Sequence, residues 1–233
     1  MRQIIRCLVV ATFGVAVCAP RAASAQHTLQ LTVGAFAPAS LDQRVRDGGD
    51  VIANNLDFLS FDPEGFTGPS VGAEWLLGLG MHVEAGLSVS GYQKTVPSVY
   101  TRLVSPSGRD IPQDLRLRQM PVAATLRWLP FGQTTVQPYL GIGIAAVRWN
   151  YQEAGDFVDP VDRSIFSDSF SVTGTSAAPV ALLGVRVPVG SLLVGGELRG
   201  QGGQGTLPRN QGYSSRRIDL SGGTAQLTVG VRF

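Results

Sequence analysis

The stretch GGTAQLTVGVRF, residues 222–233, places apolar side chains at every second position. One face carries a continuous apolar row: Ala225, Leu227, Val229, Val231 and Phe233. The opposite face is small or polar. A period of two over this length is the pattern of a β-strand with one apolar face. We interpret the stretch as a strand that closes a sheet by pairing with the first strand of the chain.

Seven further segments alternate in the same way. They are TLQLTVGAF (28–36), SVGAEWLLG (70–78), HVEAGLSVSGY (82–92), QMPVAATLRW (119–128), YLGIGIAAV (139–147), APVALLGVRV (178–187) and LLVGGELRG (192–200). Repeated short alternating segments indicate an all-β protein. With the C-terminal stretch, the sequence predicts eight strands.

The connections between these segments alternate between short and long. The short ones are GLGM (78–81), LPFGQT (129–134) and PVGS (188–191), and the long ones cover roughly 38–66, 94–114, 150–174 and 200–217. Transmembrane barrels show this asymmetry, with short periplasmic turns and longer extracellular loops. An even number of strands would place both termini on the short-turn side.

The face opposite each apolar row decides between a lipid-facing and a soluble barrel. A soluble lipocalin-type barrel also alternates, but its apolar side chains point inward and its exterior is charged. Here the opposite face is mainly Gly, Ser, Thr, Ala and Gln, and only 15% of all residues are charged. Small and mildly polar residues suit a narrow interior. The composition therefore favours an apolar face in contact with lipid.

The resulting prediction is an all-β fold, an eight-stranded antiparallel transmembrane up-and-down β-barrel with short periplasmic turns and four long extracellular loops. Aromatic residues near the strand ends are interpreted as interfacial belts, with ordinary packing as the alternative. The belt residues would be Tyr139, Trp128, Phe131 and Phe233 on the turn side and Phe36, Tyr92, Trp149 and Tyr151 on the loop side.

The N-terminal segment, residues 1–25, has the pattern of a cleaved secretory signal peptide. Arg2 and Arg6 precede an apolar run from Cys7 to Ala19, and the small residues ASA precede Gln26. Cleavage would leave residues 26–233 as one barrel domain, without either cysteine. It would also change the formal net charge from +2 to −1, because three arginines and no acidic residue are lost. A lipoprotein with lipidated Cys18 is a weaker alternative, and the balance of charge does not favour nucleic-acid binding.

The strand sequences also resemble a known family. QLTVGVRF, VQPYLGIGIAAV and LLVGGELRG look like strands of the small eight-stranded outer-membrane proteins of the OmpA, OmpX, OmpW and opacity-protein type. The resemblance implies a location in the bacterial outer membrane. It further implies that the barrel-assembly machinery recognises the last strand through Phe233, Val231, Val229 and Leu227. No peptidoglycan-binding domain follows, so anchoring to the cell wall is not implied.

The strand pattern predicts a set of charged side chains inside the barrel. By parity, the inward residues are Glu74, Glu84, Arg127, Arg186, Glu197, Arg199 and Arg232. Buried charges must be paired, because desolvating an isolated ion costs several kcal/mol. We interpret these residues as an ion cluster that fills the lumen. A gate with exchanging pairs and a catalytic carboxylate pair are the alternatives.

The sequence offers no convincing catalytic, metal or cofactor site, so we expect a non-enzymatic protein without a cofactor. The mature chain has two histidines, His27 and His82, and neither has an evident partner for general-base chemistry. The acidic run Asp156, Asp159 and Asp162 is interpreted as a solvated loop in preference to a Ca²⁺ site. An outer-membrane lipid enzyme of the PagP type is retained as a distant alternative.

The long connections carry charges of alternating sign. The first and third are acidic, whereas the second and fourth are basic. This alternation predicts either a cap in which neighbouring loops attract or four independent solvated loops. The basic fourth connection supplies candidate contacts to lipopolysaccharide phosphates: Arg209, Arg216 and Arg217.

Two functional hypotheses follow from these patterns. The first is a structural or surface-interaction barrel in contact with outer-membrane lipid and lipopolysaccharide. The second is a narrow passive channel for small or apolar molecules. No nucleic acid is expected as a partner, and the sequence does not identify an extracellular ligand.

Overall fold

The computed structural model describes residues 26–47, 49–159, 161–208 and 212–233. The predicted signal peptide, residues 1–25, lies outside the described residues. In chain order the elements are β1 (His27–Pro38), α1 (Leu41–Arg46), α2 (Val51–Asn55), β2 (Leu59–Ser60), a 3-10 helix (Pro63–Phe66), β3 (Gly68–Gly78), β4 (Val83–Val104), β5 (Asp110–Trp128), β6 (Gln137–Val158), β7 (Ile165–Val189), β8 (Leu192–Gln201), β9 (Gln204–Thr206), β10 (Arg217–Asp219) and β11 (Gly222–Arg232).

Eight of these strands form a closed antiparallel ring. The order around the ring is β1, β3, β4, β5, β6, β7, β8 and β11, and β11 pairs with β1 to complete it. At this junction the backbones of His27 and Phe233 exchange two hydrogen bonds of 3.0 and 2.9 Å. The C-terminal stretch therefore closes the sheet as predicted. Closure matters in lipid because it leaves no unpaired strand edge in the ring.

The two faces of the ring differ as the alternation requires. Leu31, Ile142 and Leu227 point outward and are 64%, 71% and 72% exposed in the isolated chain. Their strand neighbours Gln30 and Thr228 point inward and are buried. An apolar exterior and a polar interior are the arrangement of a barrel in lipid. The predicted eight-stranded up-and-down barrel is confirmed.

The strands are much longer on one side of the ring than on the other. Strands β4 to β7 have 19–25 residues, whereas β1, β3, β8 and β11 have 10–12. Two predicted long loops, 94–114 and 150–174, are therefore mostly strand, and their connections shrink to 105–109 and 159–164. Backbone pairing continues here although the apolar alternation stops. The prediction ended each strand where the apolar row ended.

The aromatic belt on the loop side was predicted wrongly. Phe36, Tyr92, Trp149 and Tyr151 are all at most 5% exposed and point into the barrel. Each of these residues lies an odd number of positions from the outward residues of its strand, so its side chain points to the opposite, inward face. On the turn side Tyr139 is also buried, but Trp128, Phe131 and Phe233 are 53–72% exposed.

The short turns at the other end of the barrel are tight. Gly190 joins β7 to β8 with a φ of 64°, a left-handed conformation that favours glycine. Within the described part of the chain, no helix has the length and apolar character needed to cross a membrane.

Candidate functional site

Six of the seven charged side chains predicted to point inward meet inside the lower half of the barrel, near the short turns. Glu74, Glu84, Arg127, Arg186 and Glu197 are each at most 4% exposed. The side chain of Arg199 is 11% exposed. We refer to these six residues as the lumen charge cluster. Strands β3, β4, β5, β7 and β8 each contribute at least one of them.

Arg127 is the centre of the lumen charge cluster. Its Nη2 lies 2.5 Å from Glu74 Oε2 and 2.7 Å from Glu197 Oε2. Strands β5 and β8 are not neighbours in the ring, so the contact with Glu197 crosses the barrel interior. The guanidinium also lies over the ring of Tyr139, 4.7 Å from its centroid. The Tyr139 hydroxyl donates a 3.0 Å hydrogen bond to Glu197.

Two further arginines complete the pairing. Arg186 forms an ion pair with Glu84 and donates from Nε to Gln137 Oε1 at 2.9 Å. Arg199 lies 3.1 Å from Glu197 and 3.6 Å from Glu74. The seventh predicted residue, Arg232, is different. Its one hydrogen bond among the described side chains is a long contact of 3.5 Å to Gln137.

The upper half of the interior contains a group of residues that the sequence analysis did not anticipate. Apolar side chains from the first and fourth long connections, which span 39–67 and 202–221 in the structure, lie among inward residues of the barrel wall. We call the connection residues the loop core: Val51, Ile52, Leu59, Phe66, Leu207, Ile218 and Leu220, each at most 1% exposed. Asp50 before VIANN is a helix N-cap signal that would have predicted α2.

Aromatic side chains of the barrel wall make close contacts with the segments that carry the loop core. The β9–β10 hairpin passes so close to Trp149 that a Cβ at Gly205 would lie 2.4 Å from Trp149 Cζ2. A glycine is therefore required at this contact. On the other side, the Tyr92 hydroxyl donates a hydrogen bond to the carbonyl of Phe66. These wall aromatics are the residues that were predicted to face the membrane interface.

Asp50 ties the two connections together. Its carboxylate accepts hydrogen bonds from the amides of Ala53 and Asp219, each 2.9 Å long. It also forms a buried ion pair with Arg44, whose Nε donates to the carbonyl of Ala39 at 3.0 Å. The N-cap of α2 is thereby held against β10. This contact uses a carboxylate and backbone amides from two segments that are distant in sequence.

A second polar contact links α2 to the barrel wall. The Asn55 side chain donates to Glu153 Oε1 at 2.8 Å and to the Tyr151 hydroxyl at 3.1 Å, and that hydroxyl donates to the same Glu153 oxygen at 2.8 Å. Burial raises the pKa of Glu153 above its ordinary value, and the two hydrogen bonds offset part of this rise. Among the described residues, no cation lies within ion-pair distance of Glu153.

A small chamber separates the loop core from the lumen charge cluster. Its volume is about 20 Å³, which is room for about one water molecule. Polar side chains line much of it, and one hydrogen bond of 2.8 Å joins Gln201 to Gln119. The interior therefore has three levels: a charged lower level, this chamber and an apolar upper level.

The remaining predicted site residues lie on the surface or outside the described chain. Arg216 is exposed and Arg217 is half-buried in β10, whereas Arg209 lies outside the described residues. The residues predicted to form the assembly signal are 46–72% exposed on the outside: Leu227, Val229 and Val231 on β11, and Phe233 directly after it. The ring of Phe233 stacks on His27, with centroids 5.9 Å apart.

The acidic run in the third connection stabilises turns. Asp159 accepts a hydrogen bond from the amide of Val161, and Asp162 accepts one from the amide of Ser164. The hydrogen bonds from Ser164 lower the pKa of Asp162. Across the described ranges, no three His, Cys, Asp or Glu side chains are grouped as a metal site.

Comparison with known proteins supports the fold. No protein-family model and no curated protein sequence matches the chain. Among solved structures, the chain is similar to the outer-membrane protein OprG from Pseudomonas aeruginosa, with 13% identity over 90% of this chain and 96% of that one and a TM-score of 0.54. Neisserial surface protein A matches at 15% identity over 89% and 97%, with a TM-score of 0.48.

The structural matches include an enzyme. The outer-membrane protease OmpT from Escherichia coli matches at 8% identity over 90% of this chain and 97% of that one, with a TM-score of 0.44. Identities this low compare the fold alone. The chain thus has the fold of small bacterial outer-membrane β-barrels, in agreement with its apolar exterior and the resemblance of its strands.

Proposed function

We propose that this protein is a non-conducting, non-enzymatic barrel of the bacterial outer membrane that acts through its cell-surface face. The observation that carries the proposal is that side chains fill the interior at two levels. Arg127 bridges Glu74 and Glu197 across the lower level, and the loop core occupies the upper level. Each level alone would obstruct ions.

The width of an eight-stranded barrel supports this interpretation. Eight strands leave an interior that side chains can just fill, whereas larger barrels leave an aqueous channel. In this chain the interior receives long charged side chains below and folded connection segments above. A passive channel would need both levels to move. The functional surface is then the outside of the barrel and its extracellular connections.

Single-channel recording distinguishes this function from the narrow channel. We expect no conductance steps from the purified barrel in a planar lipid bilayer. Ile52→Asp should disturb the upper level, and the triple change Glu74→Ala, Arg127→Ala and Glu197→Ala should remove the bridge at the centre of the lower one. Either change alone should leave the barrel closed, and the combination should conduct. Discrete steps from the parent protein would overturn the proposal, and shifted migration of unheated samples on gels verifies folding.

The proposal includes the route to the membrane. Residues 1–25 direct export and are removed, and outward residues of β11 then bind the barrel-assembly machinery. The exposed position of Phe233 at the turn end of β11 supports this role. Deleting Phe233 should lower the amount of protein in the outer membrane of cells while leaving its refolding in detergent unchanged. Normal membrane levels of the deletion variant would contradict the assembly role.

The proposed partners are outer-membrane lipid and lipopolysaccharide. The basic fourth connection lies at the extracellular mouth and supplies exposed Arg216. We include Arg209 and Arg217 with it as candidate contacts to phosphate groups. The contribution of Arg216 is expected to be small, because exposed charge pairs are worth about 0–1 kcal/mol.

A further inference from the structure

Three arginines point outward from the barrel wall at the height where its apolar band ends. They are Arg116 and Arg118 on β5 and Arg148 on β6, and all three are exposed. The strand register places Arg118 opposite Asn150 and Arg148 opposite Met120, so the two arginines are diagonal neighbours. Arg116 lies one outward position above Arg118.

Within the part of the chain that the structure describes, these arginines have no acidic partner. Among the described residues, no carboxylate lies within 4.0 Å of any of the three guanidinium groups. Their hydrogen bonds are to neutral groups: Arg116 donates to Thr95 Oγ1 at 3.1 Å, and Arg118 approaches the Met120 sulfur at 3.3 Å. Three adjacent cations without a counter-charge repel one another, and an anion placed between them would remove this repulsion.

The surface below the arginines is apolar down to the short-turn end. On β5 the outward residues from Met120 to Trp128 are 37–56% exposed apolar side chains, apart from the small Ala124. This run measures about 27 Å along the strand, which is roughly 20 Å of height at the strand tilt of such barrels. On β6 the outward residues Ile142 and Ile144 lie below Arg148 in the same way. The arginines therefore sit at the border between the acyl chains and the headgroups of the outer leaflet.

The wall offers a concave surface at this border. A shallow depression of about 470 Å³ is lined by Arg118, Met120, Arg148, Trp149, Asn150 and Thr173. Met120 makes part of this lining apolar, whereas its polar groups are the two guanidinium groups, an amide and a hydroxyl. The planar guanidinium presents a fork of donors that matches the oxygens of a phosphate.

We propose that Arg116, Arg118 and Arg148 form a binding site for the phosphate of an acylated, phosphorylated sugar lipid of the outer leaflet. The acyl chains cover the apolar band, and the phosphate lies between the guanidinium groups. The continuity of the apolar surface with the basic cluster favours a lipid over a free anion. This inference rests on the proposed outer-membrane location and deepens it, because it moves the main lipid contact from the mouth to the wall.

Titration of the purified barrel in phosphatidylcholine nanodiscs tests the site. The probes are diphosphoryl lipid A, its phosphate-free form and inorganic phosphate, each at low and high salt. We expect the variant R116Q/R118Q/R148Q to bind diphosphoryl lipid A at least about tenfold more weakly than the parent. The matched control R46Q/R102Q/R109Q removes three exposed arginines elsewhere on the extracellular side and should bind like the parent.

The outcomes separate the alternatives. Weaker binding of the phosphate-free lipid by the parent, and a decline with salt, would support the site. Equal affinity of the two triple variants, or of the two lipids, would overturn it. Binding of inorganic phosphate as tight as that of the lipid would overturn the assignment to a lipid. Conductance recorded on the same samples reports separately on the proposed closed barrel.

Discussion

The lower and upper levels of the interior are filled by opposite chemistry. The lower level is made of ion pairs, and every charged member projects from a barrel strand. The upper level is mainly apolar, and its central residues come from α2, the 3-10 helix and the β9–β10 region. The lower level is therefore as rigid as the ring itself, whereas the upper level forms only when the connections dock. The lower level should therefore be the more stable of the two, and the upper level should open more readily.

The largest effect is expected in the lower level. Arg127→Met removes the cation shared by Glu74 and Glu197 and leaves two buried carboxylates with less compensation. Breaking such a buried pair costs about 3–5 kcal/mol. Urea unfolding of the barrel in lipid vesicles should show this loss in the free energy of unfolding. Arg102→Met, at an exposed position, serves as the control, and a midpoint equal to the parent's would show that the lower level does not stabilise the ring.

A smaller and more local effect is expected in the upper level. Ile52→Ala truncates a side chain that is 1% exposed in the loop core. Such truncations cost about 2–5 kcal/mol, and here the loss should fall on docking of the connection. Limited proteolysis should cut within 39–67 more rapidly while the urea midpoint of the ring stays constant. Val45→Ala, at a 58% exposed position of the same connection, should behave like the parent. If the urea midpoint of the ring fell while the rate of proteolysis stayed unchanged, the two levels would not be stabilised separately.

The upper level should also respond to pH through Glu153. Burial raises the pKa of this carboxyl, so the docked state favours its protonated form. Protonated Glu153 therefore stabilises the docked state. This stabilisation is fully present below the ordinary carboxyl pKa, about 4.3, and is lost as pH rises through the raised pKa of Glu153. Protection of residues 39–67 from protease should therefore be greatest in acid. Glu153→Gln keeps an acceptor for Asn55 and should remove the pH dependence, whereas a persisting dependence would assign it to another group.

The smallest effect is expected from the charges of the fourth connection. Replacing Arg209, Arg216 and Arg217 with Gln removes cations at the mouth. The described contacts between the first and fourth connections use Ser214 and the amide of Asp219, without an ion pair between them. The docking free energy of the connections should therefore change by no more than about 1 kcal/mol, and the rate of loop proteolysis should change little. A large, salt-dependent increase in the rate of proteolysis would instead support the attraction between loops that the alternating charges predict.

The sequence predicted the ring and the inward charges for one physical reason. Both are properties of strands, where a period of two assigns each side chain to a face. The same parity rule assigns Phe36 and Trp149 to the interior, so the mistaken loop-side belt was a failure to apply it. Pairing partners such as Arg127 and Glu197 could not be predicted, because they join strands that are not adjacent in the ring.

The upper level was beyond the same rule. Asp50, Asn55 and Ile52 lie in a connection with no period of two, and α2 is too short to show a clear helical period. Their burial depends on β10, which is distant in sequence. Strand extension above the membrane was missed for a related reason. The outward residues of β7 there are hydroxyl-bearing, such as Ser171 and Thr173, and polar strands lack the apolar marker.

The unequal heights of the strands suggest a use for this barrel as a display scaffold. The 105–109 connection ends the tall wall formed by β4 to β7, and its residues Pro106 to Arg109 are exposed around Gly108, with a φ of 75°. This turn contributes nothing to the loop core. Short epitopes inserted there would project from the extracellular end of this wall, because exposed loop tips tolerate insertion best. The 202–221 connection, which folds back over the mouth, would bury or disrupt the same insert.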